Sequence, residues 1–300
     1  MKFEKFNSEE YNIVKQVFNN YPLMDINLAY LVESFIYKTI LIGTESDSDS
    51  NYYTKYVLKY GNIDGEHVFR NKDLLVLSYY KDGVRTGDWK KYKNNILIEK
   101  MSFNNGKLDG EYLEYFPSGV LKIKRKYINH SLDRELMYDE NGQIRLEQCY
   151  KNGIRHGYCN QYRNGILIKF SNYYFDKLQG ECITFYDNGQ ILEKYYYDII
   201  DDRSVLHGPA YVYNEFGKEV YHYVFEFGVK KTHIKFDYMG KIELLIQWRD
   251  HFTYESFKSY EKGKLRHEFF YDNFGKVNKA IHYIELNNET VKIVENGSKQ

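Results

Sequence analysis

Histidines, carboxylates and thiols are the groups through which this chain could do chemistry, and their spacing decides which chemistries are open. Nine histidines stand at His67, His130, His156, His207, His222, His233, His251, His267 and His282. They are scattered singly. No His-Glu-x-x-His pair is present to hold a metal and a base on one helix face, and no Gly-x-Ser-x-Gly elbow to expose a nucleophile. His156-Gly157 and His207-Gly208 occupy a place also held by Thr86, Asp109, Asp133 and Gln179, which suits a polar turn residue. Glu66, Asp88, Glu111, Glu135, Glu181 and Glu255 recur at similar intervals. On neighbouring hairpins they would lie about 10 Å apart. That is too far for a carboxylate pair sharing acid and base roles, and it reads as a charged row that keeps a sheet soluble. Cys149, Cys159 and Cys182 are odd in number and lack Cys-x-x-Cys spacing. They suit free thiols in a reducing compartment better than disulfides or a zinc site. No glycine-rich phosphate loop opens a helix. The residues therefore predict no catalytic group, no cofactor and no metal centre, and a protein that is not an enzyme.

The elements that carry these residues follow an internal period of about 23 residues, which fixes architecture before local structure is considered. An x-Gly-Glu-like position falls at Gly65, Gly87, Gly110, Arg134, Gly157, Gly180, Gly208, Thr232 and Tyr254, and we read it as a turn. A second turn follows each one, as in Tyr115-Phe-Pro-Ser-Gly119, Tyr138-Asp-Glu-Asn-Gly142 and Tyr186-Asp-Asn-Gly189. Asn and Gly accept the positive φ of tight hairpins at little cost. Between turns lie short runs rich in Tyr, Phe, Ile and Val, such as Glu181-Cys-Ile-Thr-Phe-Tyr186, which favour strands. Tyr92, Tyr115, Tyr138, Tyr162, Tyr186, Tyr213, Tyr238 and Tyr260 hold about the same place in successive units and predict an aromatic ladder. A tyrosine ring packs across strands while its hydroxyl stays wet. The segment 199–205 inserts extra residues into one unit and reads as a lengthened loop.

These residues resemble the MORN repeat, in the variant found in bacterial antitoxin-like proteins and giant-virus proteins. Its pattern is roughly Tyr-x-Asn-Gly, three residues, Gly-Glu-x, an aromatic, then x-x-Asn-Gly-x-Leu. The resemblance runs from about Tyr52 to Tyr283 and is clearest at 103–127, 150–173 and 174–197. Arg134, Thr232 and Tyr254 depart from it at the glycine, and Asn95 at the inner glycine. The resemblance implies an all-β fold: an elongated, twisted antiparallel β-meander, a solenoid-like array of hairpin repeats. About nine units over 51–283 would span roughly 85 Å at the usual strand spacing, with 284–300 as an edge strand and tail.

Residues 1–50 follow another rule. Ser8-Glu-Glu-Tyr11 starts a helical pattern ended by Asn19-Asn-Tyr-Pro22, and Asp25 caps a second with Leu28, Leu31, Val32, Phe35 and Ile36 on one face. An acidic Ser/Asp linker follows from Thr44. This short α-helical segment either caps the array or serves as an F-box-like adaptor. The N-terminus has no apolar core of a signal peptide, and the run Ile26–Ile42 is broken by Glu33 and Lys38, so no transmembrane segment is expected and a cytoplasmic, intracellular protein is.

The chain carries 42 acidic and 42 basic residues, which argues against the basic stripe of a nucleic-acid binder. The cluster Lys122-Ile-Lys-Arg-Lys126 is a strand face or a local anionic-lipid contact. The expected function is a non-enzymatic scaffold for an unidentified protein partner. The antitoxin-like relatives imply neutralisation of a toxin, and the Asn-, Lys-, Ile- and Tyr-heavy composition suggests a giant-virus host-interaction role. The alternative is a peripheral module making weak contact with an anionic membrane.

Overall fold

The computed structural model describes residues 37–44, 52–286 and 289–297. The chain divides into two compact units, Met1–Gln143 and Ile144–Gln300. Among the described residues every regular element is a strand, running from β1 (Tyr37–Thr44) to β9 (Ser131–Tyr138) in the first unit and from β10 (Ile144–Lys151) to β23 (Glu289–Asn296) in the second. Within each unit consecutive strands pair antiparallel as a meander, except that Arg203–Leu206 and Gly208–Tyr213 both pair with Ile191–Ile200. The helical patterns read at 8–36 and most of the acidic linker lie outside the described residues. Residues 37–44, inside the segment assigned to that N-terminal region, are instead a strand. It pairs in register with β2 (Tyr52–Lys59), Tyr37 opposite Lys59 and Thr44 opposite Tyr52.

Two kinds of turn join the strands. Tyr60-Gly61, Asp82-Gly83, Asn105-Gly106, Asn152-Gly153 and Asn164-Gly165 are two-residue turns with both φ positive, the conformation whose twist matches that of the flanking strands. Asp139, Asn214, Asp237 and Asp272 open longer turns in which their side-chain oxygen accepts amides two and four residues on, the Asx geometry that lets a short polar residue replace backbone partners.

The x-Gly-Glu position is not a turn. Gly110 lies inside β7 (Lys107–Tyr115) at φ +103°. Met101 of β6 (Ile96–Asn104) faces Tyr112, and Phe103 faces Leu108, so Asp109, Gly110 and Glu111 stand against Ser102 alone. The glycine supports a wide in-strand bulge, and the same register shift recurs around Gly157 and Gly180. Where the position holds Arg134 or Thr232, neither has positive φ and the bulge shrinks by one residue. A side chain there costs the chain its left-handed conformation, and the strand accommodates with a smaller irregularity.

The ladder is partly as expected. Tyr92, Tyr115, Tyr162 and Tyr260 each pair across strands with a leucine: Leu97, Leu121, Leu167 and Leu265. Aromatic–aliphatic pairs of this kind contribute about 0.2–1 kcal/mol each. Tyr186 and Tyr238 are off it: Phe185 faces Ile191 and Phe236 faces Ile242 instead. Tyr186 begins a turn and donates its hydroxyl to the Tyr213 carbonyl at 2.9 Å. The insertion is no loose loop either. It extends β14 (Ile191–Ile200) and forms β15 (Arg203–Leu206), closed by Asp201-Asp202.

Burial is shallow. The buried apolar residues are Ile123, Cys159, Cys182, Ala210, Ala280 and Ile281, and among the described residues no large side chain is fully enclosed. Charge is therefore managed in pairs. Buried Glu135 accepts from Arg125 at 2.5 Å, and buried Glu268 meets Lys258 at 2.7 Å, each directly across a strand pair. Burial opposes the charge on Arg125, but the hydrogen bond and charge of Glu135 outweigh it and raise its pKa.

Candidate interaction surface

Of the carboxylates expected to form a charged row, Asp88, Glu111, Glu135 and Glu181 are held in ion pairs. Asp88 meets Lys100 at 3.1 Å, Glu111 meets Lys124 at 2.6 Å and Glu181 meets Lys194 at 2.7 Å, each carboxylate on one strand and its lysine on the next. Hydrogen bonds from Lys194 and Tyr196 lower the pKa of Glu181, and Glu135 is buried rather than displayed. The same pairing answers the basic cluster: Lys122 is taken by Glu114 at 2.6 Å, Lys124 by Glu111 and Arg125 by Glu135. Three of its four cations are thus compensated.

In the first unit the strands also bring together two carboxylates that the repeat spacing did not single out. Glu99 and Glu114 face each other across β6 and β7. The Tyr112 hydroxyl donates to Glu99 Oε1 at 2.9 Å and lies 3.5 Å from Glu114 Oε2. Burial, then Glu99, pushes the Tyr112 phenol above its ordinary value. They border an open groove of about 630 Å³ with Lys91, Lys93, Tyr115 and Pro117. Lys122 engages Glu114 and Tyr112 reaches both carboxylates, so the cluster reads as a cross-strand network.

The histidines are placed as ring-packing and hydrogen-bonding residues. His67 sits between Thr54 Oγ1 at 3.1 Å and Ser78 Oγ at 3.2 Å, and burial, then Arg85, lowers its pKa. His156 packs on Tyr174 and Phe175, and His207 on Phe227. His267 and His282 are brought together across neighbouring strands. Cys149, Cys159 and Cys182 are free thiols, and among the described residues no three metal-ligating side chains converge.

What stands out in the second unit is a set of aromatic side chains presented at turn tips. In the longer turns the residue before the glycine is Ser118, Asn141 and Asn188 in earlier repeats, then Phe216, Met239 and Phe274 in later ones. The turn 249–253 has Phe252 in the corresponding place. In each of these four later turns the Asx side chain accepts the amide of the apolar residue itself: Phe216, Met239, Phe252 and Phe274. The amides of Phe252 and Thr253 hold the Asp250 carboxyl, and those of Lys276 and Phe274 the Asp272 carboxyl, below the usual range. The turn is fixed from inside while the apolar side chain is left outside. Phe252 is 94% exposed, Phe274 88% and Phe227 63%.

Hairpins of a meander alternate between the two edges of the sheet. Phe227, Phe252 and Phe274 therefore share one edge, on turns about 10 Å apart. That edge is braced: Lys231 Nζ donates to the Arg249 carbonyl at 2.7 Å, and the Arg249 guanidinium donates to Asn273 Oδ1. Behind the tips runs a continuous aromatic row. His233 stacks on Trp248 at 6.3 Å and 9° between planes, Trp248 meets Tyr254 at 5.7 Å, and Tyr254 meets Tyr271 at 5.5 Å. The Lys230 ammonium lies 4.6 Å from the Tyr223 ring and 5.7 Å from that of Trp248. Burial, then Lys230 and Lys235, lowers the His233 pKa, so a neutral imidazole completes the row. Sequence reasoning missed this surface; its signal was the change from polar to apolar residues before the turn glycine.

Among the described residues no helix is long and apolar enough to cross a membrane. No curated protein matches the chain. Among solved structures, TarM is 21% identical over 48% of this chain and 27% of its own length, with a TM-score of 0.23. The Tc holotoxin pore of Photorhabdus luminescens is 12% identical over 87% of this chain and 17% of its own, at 0.21. A porin-like protein of Bacteroides uniformis is 11% identical over 86% and 92%, at 0.14. At TM-scores this low none of these likenesses carries an inference, and the chain spans about a quarter of TarM. A family model described as a MORN repeat variant matches residues 108–129, 134–152 and 178–198. Those segments contain the Gly110 and Gly180 bulges and the Arg134 departure from them, and the chain is a MORN repeat-containing protein.

Proposed function

We propose that the chain is a non-enzymatic binding scaffold whose second unit engages a protein partner through Phe227, Phe252 and Phe274 and the Trp248–Tyr254–Tyr271 row behind them. The observation that carries this reading is three exposed phenylalanines on braced turns along one sheet edge. Exposed aromatics grouped with Trp, Tyr and Arg are the composition of interface hot spots, and a turn fixed by its own Asx bonds loses little freedom on binding. MORN repeats are generally associated with protein or membrane interaction, which is consistent with this. Neutralisation of a toxin and engagement of a viral host protein are two forms such a scaffold could take. Three free cysteines suit work inside the cell.

A photo-crosslinking amino acid in place of Phe252 is expected to give a discrete protein adduct in native cells, and one in place of exposed Asn188, on an equivalent polar turn, none. Absence of an adduct at position 252 would count against the reading.

Lys231, Arg249 and Lys276 border the same tips and favour a second reading, contact with an anionic membrane. Flotation with phosphatidylserine vesicles separates the two. A chain that stays at the bottom of the gradient excludes the membrane, and one that floats only while Phe252 and Phe274 are intact supports it.

A further inference from the structure

His267 on β21 (Lys264–Tyr271) and His282 on β22 (Val277–Leu286) are directly opposed across an antiparallel pair, with their Nδ1 atoms 2.8 Å apart. The rings meet edge to face at 5.1 Å and 73°. Phe269 holds both: its ring lies 6.3 Å from His267 and 5.8 Å from His282. On the other side Ser259 stands opposite His267 and Ile293 opposite His282, so no lysine or arginine is in register with the pair.

We infer that His267 and His282 form a two-imidazole chelate for a borderline divalent transition-metal ion such as Ni²⁺, Zn²⁺ or Cu²⁺. Metal–imidazole bonds are about 2.0–2.1 Å, which places two nitrogens roughly 2.9 Å apart for cis square-planar coordination and roughly 3.3 Å for tetrahedral. The observed spacing is already close to that bite. Without metal, one Nδ1–H donates to the other Nδ1. With metal, both rings carry the proton on Nε2, and modest ring rotations aim both Nδ1 lone pairs at one point. Phe269 restricts the rings to that neighbourhood, so little freedom is lost on binding. Exposure of His267 leaves the remaining positions to water or to a donor from a bound partner. This site lies apart from the turn-tip phenylalanines and does not depend on their function.

The test is calorimetric titration of the full chain with Ni²⁺ and, separately, Zn²⁺. The expected result is a step of one ion per chain that is lost in both His267→Gln and His282→Gln and kept in His251→Gln, an exposed turn histidine. Thermal melts of the variants check that each is folded, and Cu²⁺ loading should show coupling to two nitrogens by electron paramagnetic resonance. No step in the native chain, or a step that survives either His267→Gln or His282→Gln, overturns the inference.

Discussion

Replacing Gly110 with valine is expected to destabilise its hairpin by about 1–3 kcal/mol, the usual cost of forcing a side chain into left-handed backbone. At φ +103° the residue lies beyond the small region that Asn and Asp tolerate, and a Cβ would come within 3.3 Å of the Ser102 Cβ. Sequence and structure supply the comparison internally. In the two-residue turns the second position is often glycine, yet Asn95, His130, Asp176 and Asp202 adopt φ between +63° and +68° there. Gly165→Asn should therefore change stability by no more than about 0.5 kcal/mol. Thermal melts of the two variants separate the positions. An unchanged melt for Gly110→Val would mean that the bulge does not need its glycine.

The second large effect belongs to the buried carboxylates. Glu135→Ala leaves the Arg125 guanidinium partly enclosed, with the Tyr112 ring 5.3 Å away but its carboxylate gone. Removing one partner of a buried pair costs about 3–5 kcal/mol. Arg125 keeps 31% side-chain exposure, so water screens part of the loss and the lower end is expected. Glu268→Ala should act alike through Lys258. Glu255→Ala, at an exposed position, should stay within about 0.5 kcal/mol. Chemical denaturation of the three variants provides the comparison. Equal, small effects would show that these pairs contribute no more than surface ones.

The hairpins were legible because Asn-Gly and Asp-Gly doublets have one favoured use between alternating strand residues. The bulges were not, because a lone glycine in Leu108-Asp-Gly-Glu111 carries the same positive φ in a turn or inside a strand. Only the register, Met101 against Tyr112 and Phe103 against Leu108, distinguishes them. Tyr186 and Tyr238 were misplaced for a related reason. Phe185, one residue before Tyr186, takes the ladder place, and a shift of one residue moves a side chain to the other face; Phe236 takes it two residues before Tyr238, which lies within the turn. The fate of Glu135 depended on Arg125 lying directly across, and that pairing comes from a bulge one residue smaller than in its neighbours. The interaction surface was readable in part. Asp272-Asn-Phe-Gly275 shows an apolar residue where the turn leaves it in water, whereas the aromatic row behind it emerges only once the register of successive strands sets His233, Trp248, Tyr254 and Tyr271 side by side.

The most direct measurement is affinity capture from native cells with the full chain and with a variant carrying Phe227→Asn, Phe252→Ser and Phe274→Ser, after melts show that the two are equally stable. Asparagine accepts the positive φ at position 227, and the other two side chains are almost wholly in solvent. The expected result is a specific protein recovered by the full chain and lost with the variant. Recovery of the same proteins in the same amounts by both would contradict a partner held at these turn tips.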